Sequence, residues 1–181
     1  MAQRRHLALV AAGLLSLGAA PGAGALEMHG STYFTRPPWK VDLICYNTTV
    51  WAGAPEYYFT IELNPQAGAD LGQITVQQTR GADWSFPYNV GMTRAFLGRP
   101  RHEGQAVAVQ AQFDDKSRLF TLQFPQPVPA GSTLTVVLRP WRNPSTADTY
   151  LFQVVAYPAG LNPVGSPIGL GTLRIYEALA W

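Results

Sequence analysis

Period-2 alternation of apolar and polar residues, repeated along the chain, most limits what this sequence can become. In residues 56–63, Tyr57, Phe59, Ile61 and Leu63 point one way while Tyr58, Thr60 and Glu62 point the other. Residues 105–113 set Val107, Val109, Ala111 and Phe113 opposite Gln110 and Gln112. The pattern recurs in residues 118–124 (Phe120, Leu122, Phe124), 133–139 (Leu134, Val136, Leu138) and 150–157 (Tyr150, Phe152, Val154, Ala156). Shorter candidates are residues 41–46, 73–78 and 171–176. Successive side chains of a strand face opposite sides, so these runs read as strands with one buried face. The reading is all-β: an antiparallel two-sheet sandwich, immunoglobulin-like, of about 7–9 strands.

Turn chemistry separates the runs. Asp114-Asp115-Lys116-Ser117 sits between two of them, as a hairpin turn does. Residues 125–131, with prolines at 125, 127 and 129, block helix and ladder alike and read as a stiff crossover. Asn143-Pro144-Ser145-Thr146 opens another turn. Only residues 89–98 suggest a helix, a short one, through Met92, Ala95 and Phe96. No repeat and no linker divides the chain after its first segment.

That first segment, residues 1–25, has the zones of a secretory signal peptide. Arg4, Arg5 and His6 precede an uncharged apolar run from residue 7 to 20. The run is too short and too rich in Gly and Ala for a membrane span of roughly 20 apolar residues. Pro21 breaks it, and Ala23 and Ala25 supply small side chains at −3 and −1 of a cleavage after Ala25. The flanks of Arg4-Arg5 fit a twin-arginine signal poorly, which favours the general secretory route. Residues 26–181 then form a single β-sandwich domain. The expected location is extracytoplasmic: the periplasm first, with the thylakoid lumen and the cell exterior as alternatives.

Cleavage alters the charge balance. The whole chain holds 13 basic and 11 acidic residues, and Arg4 and Arg5 leave with the signal, so 11 of each remain. A net-neutral chain without a basic run lacks the footprint of a nucleic-acid binder. Cys45 is the sole cysteine, so no internal disulfide forms.

Several stretches resemble a known family. They are Leu138-Arg139-Pro140-Trp141-Arg142-Asn143-Pro144-Ser145-Thr146, Tyr150-Leu151-Phe152 and Ala156-Tyr157-Pro158-Ala159-Gly160. Upstream, residues 57–63, 73–81, 93–96 and 128–132 are similar too. Together they look like a cyanobacterial family of exported single-domain proteins classified only as a domain of unknown function. The resemblance implies a cyanobacterial source and an extracytoplasmic site, and it carries over no catalytic residue. Trp84 and Trp141 depart from it, standing where smaller or aliphatic residues are expected.

Chemistry-bearing groups are sparse. His29, His102, Cys45, Met28 and Met92 are the candidate soft ligands, and no metal site or other cofactor is expected from them. Cleavage after Ala25 leaves His29 fourth in the mature chain, too far along for a terminal-amine copper site. No Gly-x-Ser-x-Gly elbow appears, and Asp114-Asp115 reads as a turn rather than an acid–base pair. Cys45 shares a face with Val41 and Leu43 and reads as an inert core residue. The aromatics stand out. Trp39, Trp51, Trp84 and Trp141 fall in or beside loops, and Trp181 ends the chain. Loop tryptophans either cap a sandwich core or stack on a ligand. The candidate binding residues are therefore Trp39, Trp84, Trp141 and Arg142, with Arg142 beside Trp141 as a possible cation–π pair. The function expected is non-enzymatic: a binding or structural protein of the cell envelope whose partner is an envelope protein or polysaccharide. The alternative is a small-ligand module for carbohydrate, or for copper through the scarce His and Met.

Intact mass and N-terminal sequencing of the exported chain should give a mature start at Leu26. A start at His29 would overturn this reading and restore the terminal-amine copper geometry.

Overall fold

A computed structural model describes residues 26–178. The expected signal segment and Trp181 lie outside the described residues. Strands β1 (Leu26–Met28) and β2 (Ser31–Tyr33) form a small hairpin. Ten more strands build the sandwich. One sheet has the order β3 (Val41–Ile44), β4 (Tyr57–Glu62), β10 (Thr133–Leu138), β6 (Arg94–Arg99), β7 (His102–Val107). The other has the order β12 (Ser166–Ile175), β11 (Asp148–Pro158), β5 (Leu71–Arg80), β9 (Leu119–Val128), β8 (Gln110–Asp114). Every pairing within the two sheets is antiparallel. This is the immunoglobulin-like two-sheet sandwich that the alternation requires, with ten strands where about 7–9 were expected. Among the described residues no helix is long and apolar enough to cross a membrane.

The core follows from the alternating faces. Tyr57, Phe59 and Ile61 of β4 and Leu134, Val136 and Leu138 of β10 are fully buried against Ile74, Val76, Phe152 and Val154 of the facing sheet. Phe152 lies edge-on to Phe59, with ring centroids 5.7 Å apart at 84°, and contacts Tyr57 at 6.2 Å. Edge-to-face pairs of this kind add about 0.5–1.5 kcal/mol beyond area burial. At one side the sheet edges close on Gly171 of β12. A Cβ there would sit 3.0 Å from Phe59 Cε1 and 3.1 Å from Leu43 Cβ, tighter than ordinary packing, so glycine eases the close approach of β12 to β3.

Three expectations are corrected. Residues 105–113 are not one strand: the chain bends at Ala108 and Val109, so β7 ends in one sheet and β8 begins in the other. Alternation continues through the bend because a strand that switches sheets keeps its inward face inward. Residues 89–98 are not a helix. A single 3₁₀ turn at Val90–Met92 leads directly into β6, where ladder pairing to β10 overrides the local spacing. Residues 125–128 belong to β9 rather than to a crossover. Between the pairs Leu71↔Val128 and Gln73↔Gln123, residues 124–127 oppose Gly72 alone, and this bulge takes Pro125 and Pro127 because it needs no ladder donors.

Strand β4 is also buried on its outward side. Tyr58, Phe96 and Val137 form a second apolar cluster there, beneath the guanidinium of Arg94, which lies 5.9 Å from the Tyr58 ring and 5.3 Å from the Phe96 ring. Arg94 pairs with Glu103 at 2.8 Å and with Glu56 at 3.7 Å. Arg99, Glu62, Asp42 and Lys40 extend the ion pairs along the same sheet.

Phe152→Ala should destabilise the fold by about 3–5 kcal/mol, because its cavity cannot collapse between two rigid sheets. Urea unfolding should show this with an unchanged slope; a loss near zero would mean the two sheets do not share one core.

Candidate functional site

Three connections meet at one end of the sandwich: residues 45–56 after β3, 81–93 after β5 and 139–147 after β10. The first and third run antiparallel as an irregular ladder. Ala54 N donates to Trp141 O at 2.9 Å, Asn143 N to Ala52 O at 2.8 Å, and Trp51 N to Pro144 O at 3.2 Å. Trp141 N donates to Pro87 O and Asn89 N to Arg139 O, which ties in the second connection. The chain after β12 joins them, with Tyr176 N donating to Thr48 O and Val50 N to Tyr176 O.

Buried polar side chains hold these loops. Asn143 is 1% exposed, and its amide is fully used. Nδ2 donates to Asn47 O and Thr49 O, both at 2.8 Å, while Oδ1 accepts from the Tyr57 hydroxyl at 2.8 Å. Asp83 accepts four bonds, from the backbone N–H and hydroxyl of both Ser85 and Ser145, at 2.8–2.9 Å. Burial opposes its ionisation, but those donors outweigh it and hold the carboxyl down at about 2. Gly81, at φ +136°, turns the chain out of β5 where a Cβ would run into the Tyr150 ring. Arg118 is buried among Phe86, Tyr88 and Phe113, its guanidinium 4.8–5.3 Å from their centroids. It donates to Phe86 O and to Asp115, anchoring the β5–β6 connection to the β8–β9 turn.

On this frame stand Trp51, Trp84 and Trp141, 55%, 47% and 60% exposed. Of the residues expected from sequence, Trp84, Trp141 and Arg142 come together here. Trp39 does not: it precedes β3, at the other end of the β3–β4 pair, and is exposed there. Arg142 lies over the ring of Trp51, at 4.7 Å, rather than Trp141. Trp51 was missed as a binding candidate, since only the cross-loop pairing of Gly53 with Arg142 brings the two together. A second guanidinium, that of Arg101 in the β6–β7 turn, lies 4.2 Å from the ring centroid of Tyr46. Between Tyr46 and Gly53 is an open depression of about 190 Å³, lined also by Pro55, Glu56 and Tyr58.

The remaining chemistry-bearing residues are dispersed. His29 and His102 are exposed, in the β1–β2 turn and at the start of β7. Among the described residues no three His, Cys, Asp or Glu side chains gather as a metal site. Cys45 is half-buried against the core, donates to Asn47 O at 3.0 Å, and has its thiol pushed up by burial, which suits an unreactive residue. Asp114 caps the turn, accepting from Lys116 N and the Ser117 hydroxyl.

Asn143→Ala should cost about 1–3 kcal/mol for each group it strands, the Tyr57 hydroxyl first. Denaturant titration should show the loss together with altered tryptophan fluorescence of the loop end. Asp83 has a folded value near 2 against an ordinary 3.8, so its stabilisation is complete above pH 3.8 and is lost as pH falls towards 2. Asp83→Asn should flatten the stability curve over that window. Parallel curves for variant and parent would remove Asp83 from this role.

Comparison with curated proteins finds no significant match. Among solved structures, the chain is similar to the collagen-binding subdomain of the Enterococcus faecalis surface protein ACE. That match has a TM-score of 0.45 and 9% identity, over 77% of this chain and 97% of that one. It is similar to BslA, a bacterial hydrophobin, with a TM-score of 0.41 and 16% identity over 77% of this chain and 100% of that one. It is also similar to the group B streptococcus pilus 2b backbone protein, with a TM-score of 0.45 and 13% identity over 74% of this chain and 56% of that one. Residues 31–175, spanning the whole two-sheet sandwich, match a family described as a protein of unknown function, DUF2808, and the chain belongs to that family.

Proposed function

We propose that this chain is an exported, non-enzymatic binding protein of the cell envelope, working in the periplasm, and that the loop end is its recognition surface. The observation that carries the reading is the exposure of Trp51, Trp84 and Trp141 on loops locked by Asn143 and Asp83. Tryptophans that only capped the core would lie flat on it and be buried. Held out on a rigid frame, they offer broad apolar faces at little further loss of freedom on binding. A pyranose ring presents a matching C–H face, so an envelope polysaccharide is the partner this surface fits best. Trp39, at the other end, stands apart from this surface.

The mature protein should bind extracted envelope polysaccharide in affinity electrophoresis. Trp51→Ala, Trp84→Ala and Trp141→Ala should each weaken binding by about tenfold or more, as hot-spot aromatics do. Trp39→Ala should have no effect. Retention of full binding by all three loop variants would reject the loop end as the surface.

A further inference from the structure

We infer that the depression between Tyr46 and Gly53 recognises the carboxylates of an acidic polysaccharide. The inference rests on the loop-end reading above and names the class of polymer. Arg94, Arg99, Arg118 and Arg139 all pair with carboxylates. Among the described residues Arg36, Arg80, Arg101, Arg142 and Arg174 pair with none, and of these Arg101 and Arg142 lie on exposed aromatic rings, Tyr46 and Trp51. Tyr46 lines the depression directly, and Gly53, which also lines it, is paired with Arg142. Arg101 thus stacks on a ring that borders the hollow, while Arg142 belongs to the segment bridged to its Gly53 side; the two come from separate elements, the β6–β7 turn and the β10–β11 connection.

A guanidinium stacked on a ring keeps its N–H edge open, and that edge matches a carboxylate with two parallel hydrogen bonds. Stacking also fixes the side chain beforehand, so less freedom is lost when an anion arrives. The hollow holds one acid of its own, Glu56, but that charge is met by the Tyr58 hydroxyl at 2.5 Å and by Arg94 and Arg139 at 3.7 and 3.8 Å. Glu56 is thus engaged by partners of its own, and Arg101 and Arg142 have no carboxylate partner among the described residues. A uronate unit satisfies both parts of the surface: its ring face meets the aromatics and its carboxylate meets a guanidinium. An acidic peptide satisfies only the second.

The test uses the mature full chain with three uronate polymers, polygalacturonate, alginate and hyaluronate, beside methyl-esterified polygalacturonate, dextran and poly-glutamate. Binding to at least one uronate polymer is expected, and esterification should weaken polygalacturonate binding by about tenfold if that polymer is bound. Binding should fall as salt rises from about 50 to about 500 mM. Arg101→Gln and Arg142→Gln should each lose about fivefold or more, and Arg142→Lys should recover only part, since lysine keeps charge but not the fork. Thermal midpoints of the variants should match the parent. Equal binding of dextran, with the Arg variants silent and the Trp variants weakened, would overturn this inference and leave the loop end standing. Poly-glutamate binding as tight as the uronates, with the same arginine dependence, would overturn the polysaccharide class. No binding to any uronate polymer would overturn the inference outright; if the Trp variants also retain envelope-polysaccharide binding, the loop-end reading falls with it.

Discussion

The loop end of this sandwich depends on one buried asparagine. Loops are ordinarily the mobile part of a β-sandwich, because their backbone groups pair with water rather than with one another. Asn143 reverses that locally. Its amide takes the carbonyls of Asn47 and Thr49 and the hydroxyl of Tyr57, so the β3–β4 connection is bonded through one side chain to a core strand and to the β10–β11 connection. Asp83 does the same for the β5–β6 connection through Ser145. Asn143 and Asp83 are both paired within this buried network, and paired buried polar groups rigidify what they join. Exposed tryptophans on such a frame are displayed, whereas on free loops they would fold back onto the core.

Much of the sandwich is legible in residue order. The alternating runs containing Tyr57, Leu134 and Phe152 are strands, with those residues inward. What alternation cannot carry is sheet membership. Val107 and Val109 keep the inward phase across a bend that moves the chain from one sheet to the other. Nor does it register a covered outer face: Phe96 reads as part of a helical stripe because it is apolar at that spacing, yet it is buried with Tyr58 and Val137 outside the main core. At the candidate site, residue type and loop position point to Trp84, Trp141 and Arg142, and all three stand on connections at the same end of the sandwich. Which ring Arg142 covers was not legible, since the ladder that sets it joins residues about ninety positions apart. Trp39 is set apart by β3 itself, which runs from it towards the loop end.

Charge behaves in a similar way. Without Arg4 and Arg5, which fall in the expected signal segment, acids and bases are equal in number, and a net charge of zero says little about any one surface. Glu56, Glu62, Glu103, Asp42 and Asp115 are engaged in ion pairs, all but Asp115 with bases on or beside the β3–β7 sheet. Asp83 and Asp114 are committed to hydrogen bonds within their loops. Exposed pairs of this kind contribute little stability singly. Their larger consequence is subtraction: Glu56 and Asp83, the acids at the loop end described above, are both engaged by partners of their own, whereas Arg101 and Arg142 have no carboxylate partner among the described residues. The balance of acids and bases along a chain therefore says little about one surface. Where most carboxylates are engaged in the sheet and the loops, unpaired guanidiniums stacked on exposed rings are what an incoming anion meets, which is the basis of the proposed recognition.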